Sequence, residues 1–430
     1  MLIFFKLLKS YYLLYIHCIT TKIKVYFCHV QKNRYSQLEF IALMAALMSV
    51  TALAIDALLP ALDIIALDLG VVVQSDNQLL ITMIFLGLGL GPLLFGPLSD
   101  AIGRKSSVYI GFTVFLLASL LCINTTSLEL MILGRILQGF GLSAPRTICI
   151  AIIRDLYQGD YMARVMSFVT IVFLLIPILA PAMGKFVLDS YSWQAIFYVQ
   201  AAISVLVTIW FWIRQQETLA HDNKIPFKFK RILQGAKQTL SYKRTIGFTL
   251  ISGCIVGSFL VYLSASQQIF QEQYGLKQEF PYIFAGIAIA IGIAIFLNGS
   301  FVVKYGMVKL VTLSLIGYFT VSVLYIVVFY NTPNPPIVYL LGSFGLQFFF
   351  IGFLFGNIRA LAMEPVGHIA GIAAAITGFI STMMAVPIST FIGRFVVTST
   401  LPLFVGFACC SGLSIVILWY LKIDAKKKLM

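Results

Sequence analysis

Long stretches without charge alternate with short polar segments along most of this chain. Residues 79–95 and 108–126 carry no Asp, Glu, Lys or Arg, and a compact charged segment lies between them. Uncharged stretches of about this length form helices that cross about 30 Å of hydrocarbon. The pattern therefore predicts membrane-spanning helices joined by short turns.

Twelve such stretches follow one another, six on each side of a single long polar segment. This organisation predicts an all-α polytopic membrane protein with twelve transmembrane helices in two six-helix bundles. The predicted spans are 40–64, 76–98, 106–125, 129–153, 165–187, 193–213, 246–265, 281–302, 308–330, 336–362, 368–392 and 400–421.

The chain divides accordingly into five predicted regions. They are a basic N-terminal extension (1–38), a first bundle (39–213), a cytoplasmic linker (214–244), a second bundle (245–422) and a basic cytoplasmic tail (423–430).

Basic residues are distributed asymmetrically between the two sides of these spans. Of the 30 Lys and Arg residues, 25 fall on the side that holds the linker and both termini. Lys185, Lys277 and Arg394 fall on the other side, while Arg135 and Arg146 lie inside the fourth span. Because positive charge marks cytoplasmic segments, the linker and both termini are predicted to be cytoplasmic.

Composition excludes a soluble protein. Sixty per cent of residues are hydrophobic and 11% are charged, whereas an average soluble domain has about 25% charged residues. The net charge of +14 is explained by membrane topology and a solvated linker that faces the lipid bilayer, so no nucleic-acid partner is expected.

The segment Gly96-Pro97-Leu98-Ser99-Asp100-Ala101-Ile102-Gly103-Arg104-Lys105 is predicted to be a short loop between spans two and three. It resembles the corresponding loop of the major facilitator superfamily in its Gly, Leu, Asp, Gly and paired basic residues. The resemblance implies a secondary transporter with two parallel bundles and a substrate site between them near the midplane.

The same spacing recurs in the second half. Residues 299–306 lie between spans eight and nine and repeat the seven-residue gap between glycines, although Val303 replaces the acid. This weak repeat favours a duplication.

The first 38 residues are basic and aromatic, with no acid among them. They lack a small-residue cleavage site after an apolar core, so a cleaved signal peptide is not expected. An interfacial amphipathic segment and an extension without a transport role remain alternatives.

Charged residues inside spans are costly and therefore indicate function. Asp56 in span one and Arg135 in span four lie at similar predicted depths. Two hypotheses follow: a structural ion pair, or an alternation in which Asp56 is protonated when substrate is bound.

Arg146 lies eleven residues after Arg135 and therefore on the same helix face. Its role stays open between a structural partner of buried groups and a substrate contact. Gln138 joins that face, and the run 135–141 resembles the superfamily motif of Arg, Gln and spaced glycines, in which the arginine is tied to proton coupling. Asp56, Arg135, Gln138 and Arg146 are the predicted substrate-cavity residues.

Two further segments resemble drug/proton antiporters. Asp56-Ala57-Leu58-Leu59-Pro60-Ala61-Leu62 is similar to their span-one motif, although Asp63 replaces a second proline. Pro177, Ala180, Pro181 and Gly184 match the signature of span five. Together they resemble the Bcr/CflA branch, exporters of drugs such as bicyclomycin and chloramphenicol.

The resulting hypothesis is proton-coupled efflux of small amphipathic drugs or metabolites by a monomer in the bacterial inner membrane. No phosphate-binding loop for ATP is present in the sequence, and neither a cofactor nor a metal is expected. An uptake or exchange permease for a small, anionic metabolite is the nearer alternative. A membrane enzyme or sensor is the farther one, because no catalytic cluster of acids, His or Cys occurs.

Asp100 is predicted to stabilise the outward-facing state by accepting from a neighbouring helix N-terminus or by pairing with an inner-surface arginine such as Arg154. Arg104 and Lys105 are predicted to fix both the topology and this stabilising contact, in the loop that also contains Gly96 and Gly103.

Overall fold

The computed structural model describes residues 36–220, 224–332 and 334–427. Within these residues twelve helices are long and apolar enough to cross a membrane, which confirms the predicted fold class. In chain order they are α1 (Gln37–Asp68), α2 (Ser75–Ile102), α3 (Arg104–Asn124), α4 (Leu128–Leu156), α5 (Arg164–Ser190), α6 (Trp193–Arg214), α7 (Lys243–Gln273), α8 (Phe280–Tyr305), α9 (Met307–Phe329), α10 (Ile337–Gly367), α11 (Ala370–Gly393) and α12 (Leu401–Lys422).

The predicted N-terminal extension lies almost entirely outside the described residues, and the division into five regions stays a prediction. Inner and outer below refer to the sides that the charge asymmetry assigns. The described part of the linker contains a further helix, Phe229–Thr239.

Each bundle is held together by close helix packing around its fourth helix or that helix's counterpart, α10. In the first half α2 and α3 pack along α4, and in the second half α8 and α9 pack along α10. Glycines allow this approach, since a Cβ added at Gly139 of α4 would lie 1.9 Å from the carbonyl oxygen of Ile84 on α2. The halves meet through α2 against α11 and through α5 against α8.

Spans α1 and α7 depart from regular α-helix near their outer ends. In α1 the α-helix runs from Gln37 to Asp56, a 3₁₀ turn covers Leu59–Ala61, and α-helix resumes at Leu62. Pro60 explains this break because it has no N–H for the carbonyl four residues earlier. In α7 the last turn, Gln268–Gln273, is a π-helix.

The predicted loop between α2 and α3 is far shorter than expected. Helix α2 continues through Pro97 and Asp100 to Ile102, and α3 begins at Arg104, so Gly103 alone forms the break. Gly103 has φ +109° and ψ 158°, a backbone region that is almost exclusive to glycine. A charged, glycine-containing decapeptide resembles a loop in sequence, but its first seven residues lie within helix α2.

The weak sequence repeat has a structural counterpart. Helix α8 ends at Tyr305 and α9 begins at Met307, with Gly306 between them at φ +78° and ψ 151°. The same one-residue glycine joint thus occurs once in each half.

Candidate functional site

Arg135 lies fully buried in the first bundle and joins three helices. Its Nε donates to the carbonyl of Leu80 on α2 (2.7 Å), and both of its terminal nitrogens donate to the carbonyl of Ala54 on α1 (3.1 Å each). One terminal nitrogen also donates to Gln138 (2.8 Å), whose amide nitrogen donates to Ser119 on α3 (2.8 Å). A guanidinium buried without water needs such a set of acceptors.

The break in α1 explains why a backbone carbonyl is available to Arg135. The last carbonyls of an α-helix lack intrahelical partners, and the α-helix of α1 ends at Asp56. Arg135 therefore serves as a cap for the helix end that carries Asp56.

Asp56 is 5% exposed and forms no hydrogen bond or ion pair with any of the residues that the structure describes. The structure does not contain the expected Asp56–Arg135 pair, because two carbonyls and Gln138 already occupy the guanidinium. Across the boundary between bundles, Tyr262 of α7 lies within electrostatic range of Asp56. The Tyr262 hydroxyl is buried and has no hydrogen-bond partner among the described residues.

The antiporter-like segment of α5 packs against the same break. Pro177 and Pro181 lie within the helix, and Ala180 is buried. A Cβ added at Gly184 would lie 2.0 Å from the carbonyl oxygen of Ala57, immediately after Asp56. The segment therefore sets how closely α5 approaches the end of the first α-helix.

Arg146 lies half-buried on the inner half of α4. It forms no hydrogen bond or ion pair within the described part of the chain, and Arg359 of α10 lies within electrostatic range. The sequence does not single out Arg359, because it lies three residues before the end of its predicted span, 336–362, where a charge is expected at the inner surface. Its apolar neighbours Ile358, Ala360 and Leu361 were the available signal.

At the inner surface a network of charges surrounds the Gly103 joint. Arg104 donates to Asp100 (2.6 Å) and to Asp155 of α4 (2.9 Å). Glu217 from the linker accepts from the backbone nitrogens of Arg104 (3.0 Å) and Lys105 (3.1 Å), capping the first turn of α3.

The expected pairing of Asp100 with Arg154 is therefore wrong in this conformation. Arg154 is exposed, and the described residues provide it with no ion pair. Asp100 pairs with Arg104 instead, and Arg104 also binds Asp155, the neighbour of Arg154. Glu217 was missed because it stands in a polar segment that looked fully solvated.

Hydrogen bonds between the halves cluster at the outer ends of the spans. The amide nitrogen of Gln78 donates to Gln268 of α7 (2.7 Å) and to the carbonyl of Gly393 on α11 (3.3 Å). One turn further inward, Thr82 lies 3.5 Å from Ser389 of α11. These contacts close the outer side of the protein. Asp56 and Tyr262 lie on the inner side of these contacts.

Among the described residues no group of three or more His, Cys, Asp or Glu side chains could hold a metal ion. Within the same residues, the carboxyl of Asp56 at the boundary between the bundles and the guanidinium groups of Arg146 and Arg359 nearer the inner side have no ion pair. The two bundles contact each other through α2 with α11 and α5 with α8.

The Major Facilitator Superfamily matches residues 42–391 of the chain. An MFS-type transporter of Bacillus subtilis, YdgK, is 30% identical over 361 residues, covering 83% of this chain and 88% of that protein. The Haemophilus influenzae protein described as a bicyclomycin resistance protein homolog is 25% identical over 386 residues, covering 89% of this chain and 96% of that one.

A solved structure supports the fold. The partially occluded, inward-open form of the Escherichia coli xylose transporter XylE matches with a TM-score of 0.68 at 14% identity, covering 89% of this chain and 97% of that chain. Twelve spanning helices in two six-helix bundles, the one-residue glycine joint in each half and the match over most of the sequence agree. The chain belongs to the major facilitator superfamily and is a transporter, not an enzyme.

Proposed function

We propose that this protein exports small amphipathic molecules across the bacterial inner membrane in exchange for protons, by alternating access. The observation that carries the proposal is Asp56, a buried carboxyl without a partner in the described residues, which lies at the boundary between the two bundles. A charge in that position is costly unless it is paired, hydrated or neutralised by a proton.

In the proposed cycle Asp56 alternates between its protonated and its ionised form. A proton that enters from outside neutralises Asp56, and the bundles then rearrange to face inward. Release of that proton to the inner side and binding of substrate favour the return. Arg135 is a positioning residue in this scheme, since it holds the helix end that carries Asp56.

Export is favoured over import by the relative described as a bicyclomycin resistance protein homolog. The proposal includes a monomer with both termini in the cytoplasm, as the charge asymmetry predicts. The contacts of Asp100 and Glu217 at the inner surface occur together with a closed outer side. They are therefore proposed to stabilise this conformation rather than the outward-facing state expected from the sequence.

Everted membrane vesicles test the function. Addition of bicyclomycin to acid-loaded vesicles is expected to release protons, read by a pH-sensitive dye, and Asp56→Asn is expected to abolish that release. The amide has the shape of the protonated carboxyl but cannot give up a proton. Asp63→Asn is the matched control, because Asp63 is on the same span and contacts the backbone nitrogen of Ile64 (2.9 Å).

Proton release by a folded Asp56→Asn variant equal to that of the parent would exclude Asp56 as the coupling group. Normal amounts of membrane-inserted variant, measured by immunoblot, separate loss of coupling from loss of protein.

Uptake or exchange of a small anionic metabolite is the second candidate, and the unpaired Arg146 favours it. Substrate accumulation by intact cells, against accumulation by everted vesicles, distinguishes import from export.

A further inference from the structure

A cavity of about 550 Å³ lies in the second bundle at the inner ends of five helices. Tyr305, the last residue of α8, and the first residues of α9 form one side of it, with the Gly306 joint between them. The inner ends of α7, α10 and α12 form the rest. Asp56 and Arg135 do not line this cavity, so it is distinct from the site in the first bundle.

Three cations and one acid line the cavity. Arg244 of α7 binds Glu364 of α10 (2.8 Å), so these two charges compensate each other. Lys309 of α9 and Lys422 of α12 have no ion pair among the side chains that the structure describes. Lys422 donates instead to the neutral hydroxyl of Thr312 (3.0 Å). Two ammonium groups thus line the cavity without a counter-charge.

The ring of Tyr305 brings further positive charge to the same place. Lys309 Nζ lies 5.5 Å from the centre of this ring, and Lys304 Nζ lies 5.2 Å from the same centre. A cation–π contact of this kind attracts an ammonium group but does not neutralise it. The joint between α8 and α9 therefore has two ammonium groups beside it.

The equivalent joint of the first half contains a carboxylate. Glu217, in the segment that follows α6, accepts from the backbone nitrogens of Arg104 (3.0 Å) and Lys105 (3.1 Å). The carboxylate is so close to the Gly103 joint that an added Cβ would lie 2.6 Å from one of its oxygens. An anion supplied by the protein thus fills this place in the first half.

The second half has open space in the corresponding position. A Cβ added at Gly306 would meet nothing within 4 Å. The backbone nitrogens of Met307 and Val308, at the start of α9, have no acceptor among the described residues. The N-terminus of a helix attracts anions, and the nearby lysines add to that attraction. The cavity therefore favours an anion that the described residues do not supply.

We propose that this cavity binds the phosphate of an anionic phospholipid of the inner leaflet, such as phosphatidylglycerol. Lys309, Lys422 and the first turn of α9 contact the phosphate, which takes the place that the Glu217 carboxylate has in the first half. Basic pockets between spans on the cytoplasmic side suit acidic lipid headgroups. The inference depends neither on the transported substrate nor on the direction of transport.

Apolar residues beside the lysines favour a lipid over a soluble phosphate. Val308 and Leu313 line the same cavity and are 36% and 54% exposed. Both belong to α9, which is apolar enough to cross a membrane. A lipid held by its phosphate places its acyl chains along these residues, whereas a soluble phosphate gains nothing from them.

The bound headgroup also has a structural effect. It links the inner ends of α9 and α12 through Lys309 and Lys422, and it provides an acceptor for the start of α9. A ligand that binds the folded state alone stabilises that state. Bound phosphatidylglycerol is therefore expected to raise the unfolding temperature of the protein.

The full chain, purified in detergent and freed of lipid, tests the assignment. Dioleoyl phosphatidylglycerol, dioleoyl phosphatidylcholine and inorganic phosphate are added separately at equal concentrations, and native mass spectrometry measures binding. Phosphatidylglycerol is expected to bind and to raise the unfolding temperature. Phosphatidylcholine has the same chains without net charge, and inorganic phosphate has charge without chains, so neither is expected to bind tightly or to stabilise the protein.

Lys309→Gln and Lys422→Gln are each expected to weaken phosphatidylglycerol binding about fivefold, and the double variant about 25-fold, as the contribution of one cation near a membrane surface implies. Lys309→Arg and Lys422→Arg should retain binding because the charge remains. Both lysines are exposed, so the variants are expected to fold, which size-exclusion chromatography checks. Lys237→Gln is the matched control, since Lys237 is an exposed lysine of the linker helix that does not line the cavity.

Equal binding of phosphatidylglycerol and phosphatidylcholine would overturn the proposal, as would unchanged phosphatidylglycerol binding in the double glutamine variant. Displacement of phosphatidylglycerol by an equal concentration of inorganic phosphate would also overturn it, by assigning the cavity to a soluble anion. Failure of drug-driven proton release in vesicles, with lipid binding intact, would refute the export function and leave the lipid site standing.

Discussion

At the scale of single residues, the buried charges of Arg104 and Arg135 are satisfied by hydrogen bonds, whereas the buried carboxyl of Asp56 is not. Arg135 is bonded to the carbonyls of Ala54 and Leu80 and to Gln138. Asp56 has no partner among the described residues, although it lies only two positions after Ala54. The satisfied guanidinium of Arg135 therefore supports the architecture, and the unsatisfied carboxyl of Asp56 is the proposed site of proton binding.

Arg135→Met is expected to destabilise the protein because it leaves two buried carbonyls and Gln138 without a donor. The cost is about 2–3 kcal/mol on the scale of buried polar groups that lose a charged partner. Thermal unfolding of the purified variant in detergent measures it, and Arg154→Met is the exposed control on the same helix. Equal unfolding temperatures for Arg135→Met and the parent would contradict the capping role.

At the scale of elements, the joint between α2 and α3 depends on a conformation and on a contact. Gly103 adopts φ +109°, and a Cβ there would lie 2.6 Å from a carboxylate oxygen of Glu217. Gly306 adopts φ +78° at the equivalent joint of the second half, but a Cβ there would meet nothing within 4 Å. The two joints share backbone geometry and differ in the linker contact.

Alanine at both joints separates these effects. Gly306→Ala carries backbone strain alone, about 1–3 kcal/mol for a residue in this region. Gly103→Ala carries the same strain and also displaces Glu217 from the first turn of α3, so it is expected to unfold at a lower temperature than Gly306→Ala.

Adding Glu217→Ala tests the origin of that difference. In the Glu217→Ala background the two alanine variants should lose similar stability, measured by thermal unfolding in detergent. A persistent difference would show that Glu217 does not account for it.

At the scale of the whole molecule, the outer closure holds the two bundles together around a few polar contacts. Gln78 donates to Gln268 and to the carbonyl of Gly393, which places all three at the meeting point of α2, α7 and α11. The absence of a side chain at Gly393 permits this approach, since a Cβ there would lie 2.2 Å from the side-chain oxygen of Gln78.

Gly393→Ala is therefore expected to shift the population towards conformations with an open outer side. Spin labels on cysteines introduced at Thr126 and Asn331, on the outer ends of opposite bundles, should report a longer distance in pulsed electron resonance. Gly286→Ala is the control, because a Cβ at Gly286 would meet nothing within 4 Å. An unchanged distance distribution in Gly393→Ala would show that the contact does not hold the outer side closed.

The sequence by itself determined the number and order of the spans and the fold class. These follow from hydrophobic length and composition, which are local properties that a bilayer imposes on any chain. It also identified Asp56, Arg135 and Arg146 as the unusual charges, because a charge within an apolar stretch is visible without a structure.

Only the tertiary structure decided which partners these charges have. Arg135 binds backbone carbonyls rather than Asp56. The order of side chains along the sequence does not predict that the break in α1 leaves a backbone carbonyl free to accept. Arg104 binds both Asp100 and Asp155, so Asp100 does not pair with Arg154. Glu217 reaches the Gly103 joint from a polar segment that is distant in the sequence. Arg359 lies within electrostatic range of Arg146 although 213 positions separate them in the sequence. Such contacts depend on the rotation and depth of helices from different parts of the chain, and those are set by packing rather than by any local sequence signal.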